Sequence, residues 1–320
     1  MARSDGPVRV MLTGGETELG QVVAATLAQA GYPVVALVRP GAREPRLAEP
    51  GVRVVRGEAT SAAAVAAAAA DAQVVLHLSP QVTNTLLHDG RAWRGWASRA
   101  PREAQGVVVG ARAVGSGSPL VVLASYACLY GATQDATEET PLAPPLDQVF
   151  TAAVAAERVV RESGLPYVLL RLGFLYGPQS HDLKLYVLSF QLRRPYYAGP
   201  AHTLGNWLHF EDAARALERV VALQPRNAVY NLVDGQPVNF GRAIDHFAAL
   251  VGFRRVRHLP PRFRLLYRPF IWRPQQLLLE TSTTVRAEKA RQQLGWAPRF
   301  PNVFQGLEDV VARWRAASRQ

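Results

Sequence analysis

The N-terminal segment constrains the fold more than any other part of the chain. VRVMLTGGETELG (8–20) places an apolar strand, a glycine-rich turn and the start of a helix in direct succession. Gly14 and Gly15 allow a tight turn and a close backbone approach to a ligand, and Gly20 lets the helix pack against the strand. Because the N–H groups at a helix start attract anions, this turn predicts a site for the pyrophosphate of a dinucleotide.

Thr17 departs from the glycine pattern of such turns. In the spacing Gly-x-x-Gly-x-x-Gly that starts at Gly14, Thr17 occupies the position of the middle glycine. We expect a β-branched side chain there to crowd the phosphates or to push the loop outward. The structural alternative is that a strand, turn and helix with glycines serve packing alone.

The end of the second predicted strand indicates which dinucleotide would bind. About twenty residues after the glycine turn, chains that bind NAD carry a carboxylate that accepts hydrogen bonds from the ribose hydroxyls. This chain has Arg39 there, with Arg43 close behind. A guanidinium cannot accept from a hydroxyl but can pair bidentately with a 2′-phosphate. The sequence therefore favours NADP(H) over NAD(H), and a solvated arginine in an arginine-rich chain is the alternative.

Strand-like and helical segments alternate through the first half of the chain. Apolar runs of strand length lie at 8–12, 33–38, 52–55, 73–78, 120–125 and 166–172, with helical patterns at 18–30, 60–70, 102–115 and 149–163. This alternation predicts an α/β fold with a Rossmann-type, doubly wound parallel sheet. Ligands bind such sheets at the carboxyl ends of the strands, which places Ser79, Ser125 and Arg171 near one crevice.

The pattern changes after Gly177 to aromatic-rich segments punctuated by prolines. Helices are predicted near 183–193, 211–223, 240–251 and 303–317. We therefore expect a dinucleotide-binding Rossmann domain at 1–172 and a smaller, mainly substrate-binding lobe at 173–320. Segments near 206–232 are expected to return to the sheet.

The charge of the chain is almost entirely arginine. The formal net charge is +11 at pH 7, and Lys184 and Lys289 are the only lysines among 36 basic residues, so the other 34 are arginines. Such a skew indicates a compositional bias, which makes the charge a weak argument for a nucleic-acid partner.

Cysteine usage and hydropathy indicate the compartment. Cys128 is the only cysteine, which excludes an internal disulfide and suits a reducing environment. No apolar run reaches membrane-spanning length, because the alanine-rich stretch 62–70 ends at Asp71. No secretory signal is recognisable before the first strand. We expect a cytoplasmic protein without integral membrane association.

Eight segments resemble the extended short-chain dehydrogenase/reductases, the NAD-dependent epimerase/dehydratase family, in that family's order and spacing. They are TGGETELG (13–20), VVRGEAT (54–60), VVLHLS (74–79), LASYACLYG (123–131), LLRLGFLYGP (169–178), NWLHFEDAARAL (206–217), VYNLVDGQPV (229–238) and KARQQLGWAPRF (289–300). The resemblance implies an NAD(P) cofactor and an oxidoreductase or epimerase-like activity on a small carbonyl or sugar-like substrate. The cofactor contacts it implies are Thr13, Gly14, Gly15, Thr17, Glu18, Leu19, Gly20, Arg39, Glu58, Ala59, Leu78 and Ser79.

In that family the chemistry depends on a Tyr-x-x-x-Lys pair on one helix, in which the lysine lowers the pKa of the tyrosine. Matching this chain through Glu157 places the tyrosine position at Val149 and the lysine position at Ala153, and a shift by one gives Phe150 and Val154. No tyrosine of the chain has a lysine four residues later. We therefore predict that the pair is absent.

The family's Ser or Thr position falls on Tyr126, one residue after Ser125. Either hydroxyl can contact a substrate carbonyl in a rearranged catalytic site. Alternatively, Ser125 satisfies the backbone at a strand end, and Tyr126 fills the space of the missing tyrosine. The second interpretation is favoured, because an unassisted tyrosine has a pKa of about 10 and is a poor base at neutral pH.

His209 is followed by Glu211 and Asp212 and is expected to be a structural histidine beside capping and packing carboxylates. No Cys/His cluster indicates a metal, and no serine with an elbow turn indicates a Ser-His-Asp hydrolase.

Two other segments carry alternatives that the sequence leaves open. Residues 80–101 are expected to form a loop at the cofactor end that serves as a lid, a substrate wall or only a surface. The arginine-rich segment 262–273 can cap the substrate pocket, bind a partner or lie on a membrane surface. Pro269 and Pro274 interrupt a continuous amphipathic helix and favour the pocket cap.

The sequence leads to two main hypotheses. The first is an atypical NADP(H)- or NAD(H)-dependent enzyme that takes protons from the substrate, water, Ser125 or Tyr126, since positioning alone can supply about 7–11 kcal/mol. The second is a catalytically inactive dinucleotide-binding protein that acts as a redox sensor or as a subunit of an assembly. Binding of nucleic acid or an anionic surface is a weaker third hypothesis, and a homodimer is left open.

Overall fold

Parallel strands form the centre of the protein. The structure, a computed structural model, describes residues 6–42, 50–78, 90–114, 117–145, 147–259 and 273–319. These residues form eleven strands: β1 (Val10–Thr13), β2 (Val34–Val38), β3 (Val52–Arg56), β4 (Val74–His77), β5 (Leu120–Tyr126), β6 (Thr133–Ala136), β7 (Tyr167–Leu172), β8 (Phe174–Tyr176), β9 (Trp207–His209), β10 (Ala228–Leu232) and β11 (Thr283–Val285).

Ten α-helices connect or flank these strands within the same described ranges. They are α1 (Glu18–Gln29), α2 (Ala62–Ala68), α3 (Gly90–Arg112), α4 (Gln148–Arg161), α5 (His181–Gln191), α6 (Phe210–Leu223), α7 (Phe240–Leu250), α8 (Arg273–Glu280), α9 (Glu288–Leu294) and α10 (Val303–Ala317). A short 3₁₀ helix, Ala127–Tyr130, follows β5.

The strand order explains where a ligand can lie. The main sheet has seven strands in the order β10-β7-β5-β4-β1-β2-β3, and neighbouring strands are parallel. The chain runs from β1 outward to β3 and then crosses back to β4, on the other side of β1. The carboxyl ends of β1 and β4, where Thr13 is in register with His77, therefore flank the crevice in which doubly wound sheets bind ligands. The predicted Rossmann-type α/β sheet is confirmed.

Alternating side chains of the strands supply two hydrophobic cores, one on each face of the sheet. Val10 and Leu12 belong to the core that α1 and α6 cover, whereas Met11 belongs to the opposite core, which α2, α3 and α4 cover. The central strands β1, β4 and β5 are buried on both faces, which is why they read as continuous apolar runs in the sequence. The six strands predicted for the first half are confirmed close to their predicted bounds.

The second half of the chain forms a smaller lobe and also contributes to the main sheet. β10 pairs with β7 at one edge of the sheet, and the short pairs β8–β9 and β6–β11 lie outside it. Helices α5, α7 and α10 pack around an aromatic core in which Trp207 stacks on Phe240 at a centroid distance of 5.6 Å. The four helices predicted after Gly177 correspond to α5, α6, α7 and α10. The domain division after residue 172 stays a prediction.

Helix α3 begins earlier than the sequence predicts. The prediction started this helix at residue 102, but residues 90–101 are already helical, so the predicted loop is wrong from residue 90 onward. Pro101 lies inside the helix, where it removes one hydrogen bond. Trp96, Ala100 and Ala104 are buried on either side of it, and their packing holds the helix together. Residues 80–89 of the segment expected to be a lid, a substrate wall or a surface loop lie outside the described part of the chain.

Helix α8 begins at Arg273, the last residue of the arginine-rich segment 262–273. Pro274 lies in the first turn of this helix. Backbone N–H groups in the first turn make no hydrogen bond within the helix, so a proline there removes none. Residues 262–272, which include Pro269, lie outside the described ranges. Among the residues that the structure describes, we find no helix with the length and hydrophobicity that crossing a bilayer requires.

Candidate cofactor and substrate site

The glycine turn between β1 and α1 is closed against the end of β4. Gly14 has a φ of +74°, and a Cβ atom added there would lie 2.2 Å from the carbonyl oxygen of Leu78. A Cβ atom on Gly20 would lie 2.1 Å from the carbonyl oxygen of Gly14. The N–H of Gly15 points to the carbonyl of Leu37 at 3.5 Å. The packing of the turn therefore requires both Gly14 and Gly20, irrespective of a ligand.

Thr17 is the N-cap of α1. Its backbone is extended, and its hydroxyl accepts a hydrogen bond from the N–H of Gly20 at 3.0 Å and donates to the carbonyl of Gly14 at 2.7 Å. Leu19, in the first turn of the helix, is buried in the core. The threonine that replaces the middle glycine therefore stabilises the turn from within.

Two carboxylates of the turn have different partners. Glu16 Oε1 accepts a hydrogen bond from Arg39 Nε at 2.5 Å, and Arg39 is the first residue after β2. Glu18 accepts a hydrogen bond from the backbone N–H of His181, at the start of α5. Glu16 thus links the turn to the carboxyl end of β2, and Glu18 links the start of α1 to the start of α5.

The other residues implied as cofactor contacts follow the carboxyl ends of neighbouring strands. Thr13 ends β1, and its hydroxyl lies 2.7 Å from Nδ1 of His77 at the end of β4. Glu58 and Ala59 follow β3 and precede α2. Ser79 lies outside the described residues. The structure therefore brings the described members of the set to one edge of the sheet.

A buried polar network ties β5 and β7 to α4. Ser125 Oγ donates to Glu157 Oε1 at 2.5 Å, and Arg171 donates to both oxygens of the same carboxylate, from Nε at 3.1 Å and from Nη2 at 2.8 Å. Arg171 also donates to the hydroxyl of Tyr130 at 2.8 Å, and that hydroxyl donates to Asn231 Oδ1 at 2.8 Å. The proton of Ser125 is therefore engaged by a carboxylate and not by the backbone.

Helix α4 has apolar side chains at the positions matched to the family's tyrosine and lysine. Val149 and Ala153 are buried and belong to a cluster with Tyr126 and Trp96. The two aromatic rings meet edge to face at a centroid distance of 5.9 Å. Among these four side chains, Tyr126 alone carries a hydroxyl, so no lysine-assisted proton donor is present in this cluster.

A cavity of about 310 Å³ adjoins Tyr126 and α4. Phe150 and Val154 of α4 line it, together with segments at 127–132, 143–145, 172–175 and 204–206 and the end of α8. No charged side chain belongs to the lining that the described residues provide. Cys128 is part of this lining, and burial raises the pKa of its thiol to about 12, so the thiol stays neutral.

Comparison with known proteins identifies the family. Residues 14–192, more than half of the chain, match the family described as NAD(P)H-binding. The chain belongs to this NAD(P)H-binding family. The match covers the glycine turn, α4 and the Ser125, Glu157 and Arg171 part of the buried polar network, and it confirms the resemblance to nicotinamide-dependent Rossmann proteins.

Two relatives of this family member are reductases. A 3-diazoavenalumate denitrifying reductase of Streptomyces is 29% identical over 318 residues, which cover 94% of this chain and 99% of the relative. A 2-alkyl-3-oxoalkanoate reductase of Stenotrophomonas maltophilia is 26% identical and covers 97% and 99% of the two chains. A dTDP-glucose 4,6-dehydratase of Streptomyces venezuelae, solved with NAD bound, shares the fold with a TM-score of 0.79 at 20% identity and covers 96% and 97%.

The turn of this NAD(P)H-binding chain fits a nicotinamide dinucleotide. Helix α1 begins at the crevice, so its first N–H groups can face a pyrophosphate. The side chain of Glu16 is only 10% exposed, and its Oε2 atom is buried without a hydrogen-bond partner among the described residues. A buried carboxylate oxygen of this kind is an acceptor for a hydroxyl donor on the ligand.

Sequence reasoning missed His77 as a member of the site. It is buried at the end of β4, and with Ser125, Tyr126 and Ala153 it lines a small pocket of about 10 Å³. Burial lowers the pKa of His77, and the nearby carboxylate of Glu103 opposes this shift. The histidine is therefore neutral near pH 7. The available signal was a polar residue near the carboxyl end of a buried strand, and the structure places it in register with Thr13.

His209 has the structural role that the sequence predicts. It is fully buried, its Nδ1 accepts from the N–H of Glu211 at 3.2 Å, and burial lowers its pKa to about 4. Glu211 forms an ion pair with Arg313, and Asp212 accepts hydrogen bonds from the backbone N–H groups of residues 299 and 300. Within the described ranges, no group of His, Cys, Asp and Glu side chains is arranged to hold a metal ion.

Proposed function

We propose that this protein is a reductase that transfers a hydride from NADPH to a small, largely apolar, aromatic substrate, without the Tyr-x-x-x-Lys relay. The observation that carries the proposal is the uncharged cavity beside α4, at the helix that would hold the relay. The cofactor supplies the hydride when it is bound. The protein supplies the orientation of the substrate and excludes water from it.

The lining of the cavity favours an apolar substrate over a sugar nucleotide. A diphosphate is normally held by arginine or lysine side chains, and the described lining contains neither. A volume of about 310 Å³ is at the lower end of the range for small-molecule sites. The aromatic and aliphatic walls, such as Phe150, Phe174 and Leu278, match a substituted benzene ring.

The absence of a relay favours an acceptor that needs no proton from the protein. Hydride transfer to an aryl diazonium ion breaks the C–N bond, forms a C–H bond and releases N₂, so NAD(P)H and the diazonium ion give NAD(P)⁺, the arene and N₂ without a proton donor. The Streptomyces relative is named as a denitrifying reductase of a diazo compound. An aromatic diazo compound is therefore the first substrate class that we assign to the cavity.

A carbonyl is the second substrate class. The Stenotrophomonas relative is named as a reductase of an oxo acid. Carbonyl reduction adds a hydride to carbon and requires a proton on oxygen, which water or the hydroxyl of Tyr126, a residue of both pockets, would supply. Loss of a positioned acid lowers such a rate by about 10²–10⁴.

The preference for NADPH rests on Arg39. Its side chain is 40% exposed at the end of β2, where the adenosine ribose binds in doubly wound sheets. Only Nε of its guanidinium is hydrogen-bonded to Glu16, and the outer edge is the part suited to a 2′-phosphate.

The test is hydride transfer from NADPH that carries deuterium at the transferred position. We expect the deuterium on the aromatic carbon of a benzenediazonium substrate, detected by mass spectrometry, at a rate above the reaction without protein. Aryl ketones and aldehydes serve as the second substrate set. If NADPH binds but neither set is reduced above background, the protein is a dinucleotide-binding protein without this reductase activity.

A further inference from the structure

We infer that Glu16 limits the preference for NADPH over NADH that Arg39 provides. Its carboxylate accepts a hydrogen bond from an adenosine ribose hydroxyl of NADH and opposes the 2′-phosphate of NADPH. The inference rests on the proposed function, because it assumes that the dinucleotide binds at the glycine turn.

The position of Glu16 places its carboxylate beside the ribose-reading residue. Glu16 lies in the turn after β1, Arg39 follows β2, and these strands are parallel neighbours with Thr13 and Leu37 in register at their ends. The bond of 2.5 Å between Glu16 Oε1 and Arg39 Nε joins the two side chains at the mouth of the crevice. A carboxylate is thus present at the ribose end, although it comes from the turn and not from the end of β2.

The second oxygen of this carboxylate is the one suited to a ligand. Oε2 of Glu16 is buried and has no hydrogen-bond partner among the described residues, while Arg39 engages only Oε1. A buried carboxylate oxygen without a donor is destabilising, and a ribose hydroxyl would remove that penalty. NADH presents two hydroxyls on its adenosine ribose, whereas NADPH has a phosphate in place of one of them.

The charge of Glu16 acts in the opposite direction on NADPH. A 2′-phosphate carries up to two negative charges at neutral pH, and a carboxylate in the same small region repels it. Arg39 attracts the phosphate but is already paired with Glu16. Removing the negative charge at Glu16 would therefore both end the repulsion and release the guanidinium for the phosphate.

Glu18, the first residue of α1, provides a matched control two residues after Glu16. It carries the same charge, and its carboxylate accepts from the N–H of His181. It lies in the first turn of α1, near the pyrophosphate that both cofactors share. A change of its charge should affect NADH and NADPH in the same direction.

The experiment is equilibrium titration of the parent protein, Glu16→Gln and Glu18→Gln with NADH and NADPH, followed by nicotinamide fluorescence at one fixed ionic strength. For Glu16→Gln we expect the Kd of NADH to rise by about tenfold, as for the loss of one hydrogen bond to a charged group, and the Kd of NADPH to fall. For Glu18→Gln we expect the ratio of the two Kd values to stay within about twofold of the parent ratio.

A second variant keeps the test decisive if Glu16→Gln does not fold. Arg39→Gln leaves the carboxylate in place without its cation, so NADPH should weaken by about tenfold or more while NADH keeps its affinity. The inference is overturned if Glu16→Gln leaves the ratio of Kd values unchanged, if Glu18→Gln changes that ratio equally, or if Arg39→Gln weakens both cofactors alike. Failure of the parent to bind either cofactor would instead contradict the proposed function.

Discussion

The glycine turn and helix α4 depart from the family's sequence pattern in different ways. In the turn, Thr17 replaces a glycine but caps α1 with its own hydroxyl, so the local geometry is retained. On α4, the positions that the resemblance matches to the tyrosine and lysine hold Val149 and Ala153, which pack in one cluster with Tyr126. The first departure is compensated by a hydrogen bond, whereas the second places apolar side chains where our sequence match expects the proton-transfer pair.

The parts of the site that hold it in place, which are the glycine turn and the buried Glu157–Arg171 pair, are distinct from the groups that would transfer protons. Glu157 and Arg171 still anchor α4 to the sheet through the buried ion pair, so the helix is held in place. The turn still offers the start of a helix to a pyrophosphate. Under the proposed function, such a framework holds a cofactor and a substrate in position for a reaction that needs orientation alone.

Introducing the Tyr-x-x-x-Lys pair on α4 should have the largest effect, and that effect is on the rate of carbonyl reduction. Val149→Tyr with Ala153→Lys returns the two proton-transfer groups, and Tyr126→Ser makes room for them, because the ring of Tyr126 packs in the same cluster. We expect the triple variant to raise the rate of carbonyl reduction by about 10²–10⁴. The measurement is kcat for an aryl ketone with NADPH. The double variant without Tyr126→Ser is the control, and equal rates in both would show that Tyr126 does not occupy the required space.

Breaking the buried Glu157–Arg171 ion pair should strongly lower the free energy of unfolding. Glu157→Gln leaves Arg171 as a buried cation without its counter-charge, which typically costs about 3–5 kcal/mol. Urea unfolding would measure the free energy of unfolding. Glu162→Gln at the C-cap of α4 is the matched control, because Glu162 and Arg158 are both more than half exposed and such pairs contribute about 0–1 kcal/mol. Similar losses in the two variants would mean that the buried pair does not anchor α4.

A charge in the cavity should weaken substrate binding by an intermediate amount. Val154→Asp places a carboxylate in an otherwise uncharged lining, whereas Val154→Asn adds a neutral group of the same shape. We expect the Asp variant to raise KM for an uncharged aryl substrate by about tenfold relative to the Asn variant, since burying a charge is costly. Affinity for NADPH, measured by fluorescence, should not differ between them. An equal KM in both variants would place the substrate outside this cavity.

The smallest effect concerns the pH dependence of stability in the second lobe, away from both regions. Burial, together with the charge of Asp212, raises the pKa of Asp234 to about 8. A carboxyl with a raised folded pKa stabilises the protein at acidic pH and loses this contribution as the pH rises from about 4 through about 8. Asp234→Asn should remove that part of the pH dependence, so that its Tm relative to the parent increases by a few degrees between pH 5 and pH 8. Parallel Tm curves for the two proteins would contradict this assignment.

The sequence predicted the centre of the main sheet well because strands such as β1, β4 and β5 are buried on both faces. Short apolar runs such as Val74–His77 can be recognised as strands directly in the sequence. Their alternation with helices then restricts the topology. The short strands of the second lobe, such as Trp207–His209, were not recognised, since a three-residue strand leaves no periodic pattern. The early start of α3 was missed because Pro101 is typical of a helix beginning, and only tertiary packing around Trp96 reveals otherwise.

Within the candidate site, the sequence allowed predictions only for residues that occupy a fixed position in a known motif. Gly14 and Arg39 could be placed from their spacing along the chain. The pairing of Glu16 with Arg39 could not, because it joins side chains from two different strand ends that meet only in the folded sheet. The uncharged cavity likewise depends on segments far apart in sequence, from Tyr126 to Leu278.

The close contact at Gly14 bears on how such chains can change over time. A Cβ atom at this position would meet the carbonyl oxygen of Leu78 at 2.2 Å, so folding alone selects against every other residue type there. A descendant that had lost all use for a cofactor would still keep this glycine. Residues whose side chains the fold does not need can change as the ligand changes. Arg39, whose side chain is 40% exposed at the mouth of the crevice, is such a residue.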